Sequence, residues 1–118
     1  MNRYADFIAD VNRAYEQRIA CPVTQEYFST IEGKTYACAI AAAYLVNNPD
    51  GKQALQETPD EENFLFNWAI EHYHFIPTDL QDIIKGFDSQ CDHTEAAKVG
   101  CLLYNTWFPE SDKPIVVE

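Results

Sequence analysis

Apolar residues recur at three- and four-residue steps at the start of the chain: Tyr4, Phe7, Ile8, Val11 and Tyr15. This spacing predicts one stripe on a helix running from an Asn2 cap to about Arg18. Pro22 closes that segment, because proline disfavours helix at the residue before it. Tyr27, Phe28 and Ile31 suggest a short extended piece near 27–31, and Glu32-Gly33-Lys34 reads as a turn. From Thr35 to about Asn47 the sequence is apolar nearly all round, so the spacing predicts a helix in the centre of a domain, with residues 36–46 as its core. Small side chains at Ala39 and Ala41 to Ala43 allow neighbouring helices to approach it. The run Asn47-Asn48-Pro49-Asp50-Gly51 stops it, and Lys52 to Gln56 reads as a short helical turn.

Thr58-Pro59-Asp60-Glu61 combines a cap, a proline at the first helical position and a glutamate three residues after the cap. The helix it opens carries Phe64, Leu65, Trp68 and Ala69 and ends near His74. Thr78 to Gln81 starts the next, with Leu80, Ile83, Ile84 and Phe87 on its apolar face. A last helix begins near Asp92 or Thr94 and buries Ala96, Ala97, Gly100, Cys101 and Tyr104. Residues 105–118 are expected as an extended tail. The fold expected is all-α, a single compact domain of about five helices around the central apolar one.

A chain of 118 residues has room for one core. Its N-terminus is charged and has no apolar run of signal-peptide type, and the longest apolar stretch is too short to span a bilayer. The expected location is cytoplasmic. Charge divides the chain unequally: residues 1–54 hold six acids against five bases, whereas residues 55–118 hold thirteen acids against Lys85, Lys98 and Lys113, a net of −10. A field of that sign repels nucleic acid and anionic membrane and attracts basic protein surfaces or cations. Part of the excess serves helices: Asp60, Glu61, Glu62, Asp79, Asp82, Asp92 and Glu95 fall in first turns, where they complement the helix dipole.

The segments Gly33 to Ala43 and Ile76 to Leu103 resemble a loose set of small uncharacterised bacterial and phage proteins. Those have a G-(R/K)-x-C-A-L-G-A-A helix, an I-x-x-L-N-D turn and an S/T-x-E…I-A-x-x-L helix. The corresponding pieces are Cys38 to Ala43, Ile84 to Asp88 and Thr94 to Leu103. Two departures stand out: Gly86-Phe87-Asp88 replaces Leu-Asn-Asp, and Ala41 replaces a glycine. The resemblance implies a helical fold and carries no activity with it.

Four cysteines without a C-x-x-C pair, in a chain without an export signal, are expected as reduced thiols, with Cys38 and Cys101 buried. His72, His74, Cys91 and His93 offer metal-ligand chemistry, either a metal or a thiol-dependent site. Residues i and i+2 of a helix point about 200° apart, however, so His72 and His74 cannot share a metal within one helix. The last two helices raise a helix-turn-helix alternative, which Asp92 and Glu95 at the end facing phosphate disfavour. No phosphate-binding glycine loop is present, and no cofactor is expected. The function expected is a non-enzymatic acidic protein–protein interaction module, an inhibitor or adaptor that binds a basic protein surface. One concrete form is occupying the basic groove of a nucleic-acid-binding protein. Its candidate contact residues are Glu57, Glu71, Asp88, Trp107, Phe108, Glu110 and Asp112, charges not spent on caps beside two aromatic anchors.

Overall fold

The N-terminal stripe forms α1 (Arg3–Glu16) in a computed structural model that describes residues 3–24, 26–88 and 94–108. Helix α1 stops before Pro22 can act on it. Arg18 adopts a left-handed conformation (φ 59°). Its N–H donates to the Tyr15 carbonyl at 3.1 Å and the Ile19 N–H to the Ala14 carbonyl at 2.9 Å. These are the two bonds of a Schellman ending, with arginine where glycine is usual.

The chain then enters a small sheet, and here the all-α expectation is corrected. Strands β1 (Cys21–Pro22), β2 (Phe28–Ile31) and β3 (Lys34–Ala37) form a three-stranded mixed sheet in the order β1-β3-β2. Strand β1 runs parallel to β3, with Cys21 opposite Tyr36, and β2 runs antiparallel to it, with Phe28 opposite Ala37 and Ile31 opposite Lys34. Glu32 and Gly33, both at positive φ (52° and 82°), make the two-residue loop between β2 and β3. Positive φ at both loop residues gives the primed twist that matches paired strands. The expected extended piece at 27–31 is therefore one arm of a hairpin. Its other arm takes Thr35 and Tyr36 away from the central helix, in keeping with the strand preference of β-branched and aromatic residues.

The central helix is α2 (Ala39–Asn47), and Ala39 to Leu45 are all buried. Its all-round apolar character needs neighbours on every side, and α1, α4 (Glu61–Tyr73) and α5 (Pro77–Phe87) supply them. Between lies the short α3 (Lys52–Glu57), anchored by the fully buried Leu55. Helix α4 starts later than expected: Asp60, not Thr58, caps it and accepts from the Asn63 N–H at 3.1 Å. Helix α5 starts at Pro77, one residue earlier than expected. Ile76 has no side-chain acceptor, so only the returning half of a capping box forms, from the Ile76 N–H to Asp79 Oδ2 at 3.1 Å. Thr94 caps α6 (Glu95–Trp107), its Oγ1 accepting from the Ala97 N–H at 3.1 Å. Helix α6 continues past Tyr104 to Trp107, and residues 109–118 of the expected tail lie outside the described residues.

Helices α5 and α6 form the closest pair in the fold. A Cβ added at Gly86 would collide with the Ala97 carbonyl oxygen, and one at Gly100 with the Ile83 carbonyl oxygen. The two backbones touch at a point that admits no side chain on either. The described residues form one compact body with a radius of gyration of 13.2 Å, close to the ~13 Å of a compact 100-residue domain. Among them no helix is long and apolar enough to cross a membrane.

Candidate functional site

A cavity of about 210 Å³ lies where the β3–α2 junction meets α5. Tyr27, Ala39 and Ile40 line it from one side and Ile83, Ile84 and Phe87 from the other, with Glu26, Cys38 and Asp88 as its polar members. Its position follows from the hairpin register. Pairing Phe28 with Ala37 sets Tyr27 beside Cys38, and the Cys38 N–H donates to the Tyr27 carbonyl at 3.0 Å. The Tyr15 hydroxyl holds the same junction from below, donating to the Ala37 carbonyl at 2.8 Å.

The electrostatics of this cavity are one-signed. Burial, followed by the charges of Glu62 and neighbouring groups, raises the Tyr27 phenol. Burial and then the charge of Glu26 raise the Glu61 carboxyl above its usual range. Glu26, Glu61, Glu62 and Asp88 thus act on one small volume, and no lysine or arginine is among the described residues lining it. The Cys38 thiol, 5% exposed, is pushed by burial up to about 12, against the counteracting Ala41 and Ile40 backbone N–H groups. A nucleophilic thiol needs access and a lowered pKa, and Cys38 has neither.

The residues singled out from sequence fall in several places. Asp88 lines the cavity. Glu57 is exposed at the end of α3 and accepts from Gln53 Nε2 at 2.9 Å. Glu71 borders a separate open groove on α4 with Asp60, Phe64 and Trp68. Trp107 and Phe108 pack on the protein's own core. The Trp107 indole donates to Asn12 Oδ1 at 2.8 Å and meets the Tyr15 ring edge-on, and Phe108 stacks on Tyr104 with ring centroids 5.0 Å apart. Glu110, Asp112, Cys91 and His93 lie outside the described residues.

His72 stacks on Trp68 at 4.9 Å, and His74 caps α4 in a left-handed conformation. Both border an open groove with Asp6, Asp10 and Arg13. There Asp10 accepts from the Tyr73 hydroxyl at 2.6 Å and Asn47 Nδ2 at 3.0 Å, and pairs with Arg13 at 3.3 Å. Among the described residues no group of three or more His, Cys, Asp and Glu is placed to hold a metal ion. Cys38 and Cys101 are both buried, as expected. The expectation of reduced thiols is corrected, however: Cys21 and Cys38 are free, whereas Cys101 is disulfide-bonded.

Three members of the cavity escaped sequence reading. Glu26 and Tyr27 sit in the weakest segment of the pattern, and Cys38 looked like one more apolar position of the central helix. The signal that finds them is the hairpin turn at Glu32-Gly33, which fixes the register and brings Tyr27 against Cys38. No known protein family, curated protein or solved structure matches this chain.

Proposed function

We propose that this protein is a non-enzymatic binding module of the cytoplasm that docks a basic protein surface, acting as an inhibitor or adaptor. The observation that carries the reading is that Glu26 and Asp88 line one apolar cavity while Glu61 and Glu62 act on its Cys38 and Tyr27. Glu26 comes from the loop before β2, Glu61 and Glu62 from the first turn of α4, and Asp88 from the end of α5. Gathering like charges costs self-repulsion that a neutral surface avoids, and a basic partner removes that cost on binding. The apolar floor supplies the desolvated centre that interfaces need, and the carboxylates supply a charged rim that governs association rate and partner choice.

Calorimetric titration of the protein with poly-L-lysine tests this reading. Binding at low ionic strength is expected, falling steeply towards about 0.5 M salt as the Debye length shrinks below ~5 Å. The variant combining Glu26→Gln, Glu61→Gln and Asp88→Asn is expected to bind more weakly than one in which Glu57, Glu71 and Glu110 are neutralised. No binding by the native protein at low salt, or equal weakening by the two triple variants, would overturn the reading.

A further inference from the structure

We infer that the open groove along α4 holds an extended basic segment of a partner protein, its backbone bonded by Asn63 and Asn67, its side-chain stems on Phe64 and Trp68 and its charge met by Glu71. None of these residues lines the cavity between α2 and α5, so the two sites can fail separately. The groove measures about 480 Å³ and runs from the Thr58-Pro59 turn to Glu71. Every one of these side chains keeps accessible surface: Asn63, Asn67 and Glu71 are exposed, and Phe64 and Trp68 are half-buried. Aromatic anchors beside an acidic rim, the pattern of a contact surface, thus stand on α4 rather than at Trp107 and Phe108.

Asn63, Asn67 and Glu71 occupy successive turns of α4 at four-residue steps, and Phe64 and Trp68 form a second column beside them. Asparagine is a poor helix former, and no described residue hydrogen-bonds to either of these side-chain amides. Neither helix formation nor a contact within the fold accounts for them. A primary amide presents donor and acceptor together, the complement of a peptide C=O and N–H. The helix rise sets the two amides about 6 Å apart along the axis. Alternate residues of an extended chain turn the same edge outward and repeat at about 6.6 Å, so the two ladders match. The rings are held in place: Tyr44 meets Phe64 and Trp68 edge-on with centroids 5.3 and 5.5 Å away, and its hydroxyl donates to the Gly51 carbonyl at 3.0 Å. Rings already fixed lose little freedom on binding. Charge then selects the occupant. The ionisable groups of the groove are Asp60 and Glu71, and no lysine or arginine is among the described residues lining it. Asp60 spends one oxygen on its cap, whereas Glu71 is uncommitted. Lysine and arginine lay apolar stems on aromatic carbon and reach a carboxylate with the tip, whereas nucleic acid meets only repulsion.

The test is a chemical-shift titration of the full chain at low ionic strength with a capped hexapeptide of alternating lysine and threonine. Shifts are expected at Asn63, Asn67 and the Trp68 indole. Two changes remove the backbone bonds and keep every charge: N-methylation of the peptide's amides, and the double variant Asn63→Ala, Asn67→Ala. Each is expected to weaken binding about tenfold, the worth of one or two hydrogen bonds. Both positions are exposed and alanine favours helix, so the variant folds, as a thermal melt checks. Undiminished affinity after either change would overturn the inference, because it leaves only unspecific attraction between charges. So would equal binding of a hexapeptide with glutamate in place of lysine, or shifts confined to other parts of the molecule. The groove shifts are expected to persist in the variant combining Glu26→Gln, Glu61→Gln and Asp88→Asn. Their loss there would overturn the inference and leave the cavity as the docking site. Their persistence, with the cavity resonances still in the native protein, would leave the groove standing without the cavity.

Discussion

At the C-terminal end of α2, Asp10 is enclosed by donors: the Tyr73 hydroxyl, the Asn47 amide and the Arg13 guanidinium. At its N-terminal end, Glu26 and Asp88 line an apolar cavity, Glu61 and Glu62 act on its Cys38 and Tyr27, and no lysine or arginine is among the described residues lining it. One helix of nine residues thus joins a carboxylate enclosed by donors to an end where several carboxylates act on one cavity. The Asp10 network links α1, α2 and α4 and serves stability. The acids at the other end bring like charges together, and with burial this raises the Glu61 carboxyl.

The strongest test addresses the segment that both ends share. Ile40→Asp would bury an unpaired charge at a position with no solvent exposure. The expected loss is on the order of 4–5 kcal/mol, comparable with the whole stability of a small domain. A cooperative thermal melt of that variant would show that α2 is not the common support. The next test probes the cavity end chemically. With its thiol near 12 rather than the ordinary 9, Cys38 carries about a thousandth of the usual thiolate fraction at pH 8. Alkylation of Cys38 in the native protein is therefore expected to be slower than in denaturant by a comparable factor. In denaturant without reductant, Cys21 and Cys38 are expected to titrate as free thiols and Cys101 not to react; free Cys101 there would refute its disulfide.

Asp10→Ala tests the satisfied end. It leaves the buried Tyr73 hydroxyl without its closest acceptor, at an expected cost of about 1–3 kcal/mol in a denaturant melt. Glu61→Gln probes the crowded end, and here the sign reverses. A carboxyl held above its unfolded value stabilises the fold at low pH, and that contribution is lost as pH rises through the folded pKa. Removing the ionisable group should therefore raise stability at pH 7 slightly and flatten the dependence through the carboxylate range. A loss as large as that of Asp10→Ala would erase the distinction between the two ends.

How much of this was legible in the sequence differs between the same two ends. The helical stripes of α1 and α5 and the burial of Ala39 to Leu45 follow from spacing, because burial selects apolar residues at helical period. The Thr94 cap of α6 is local chemistry and reads directly. Thr35 and Tyr36 illustrate the opposite case. They continue the apolar run of α2 without a break in period, and only their pairing with Thr30 and Ser29 across the hairpin makes them strand. Register is a long-range property that composition does not carry. The cavity depends on that register, so Glu26 and Tyr27 were invisible as a site. Trp107 shows a different limit. An aromatic near the end of a chain reads as an anchor for a partner or as a lid on the core, and its hydrogen bond to Asn12 is a long-range contact that spacing does not carry.

The contact between Gly86 and Gly100 has a mechanical side. Two helices whose backbones touch through opposed glycines cannot rotate or slide past each other without collision, so α5 and α6 travel as a single lever. One arm of that lever carries Ile83, Ile84 and Phe87 along the cavity, and the other carries Trp107, tied by its indole to α1. Widening the cavity from the α5 side therefore means tilting both helices together against α1.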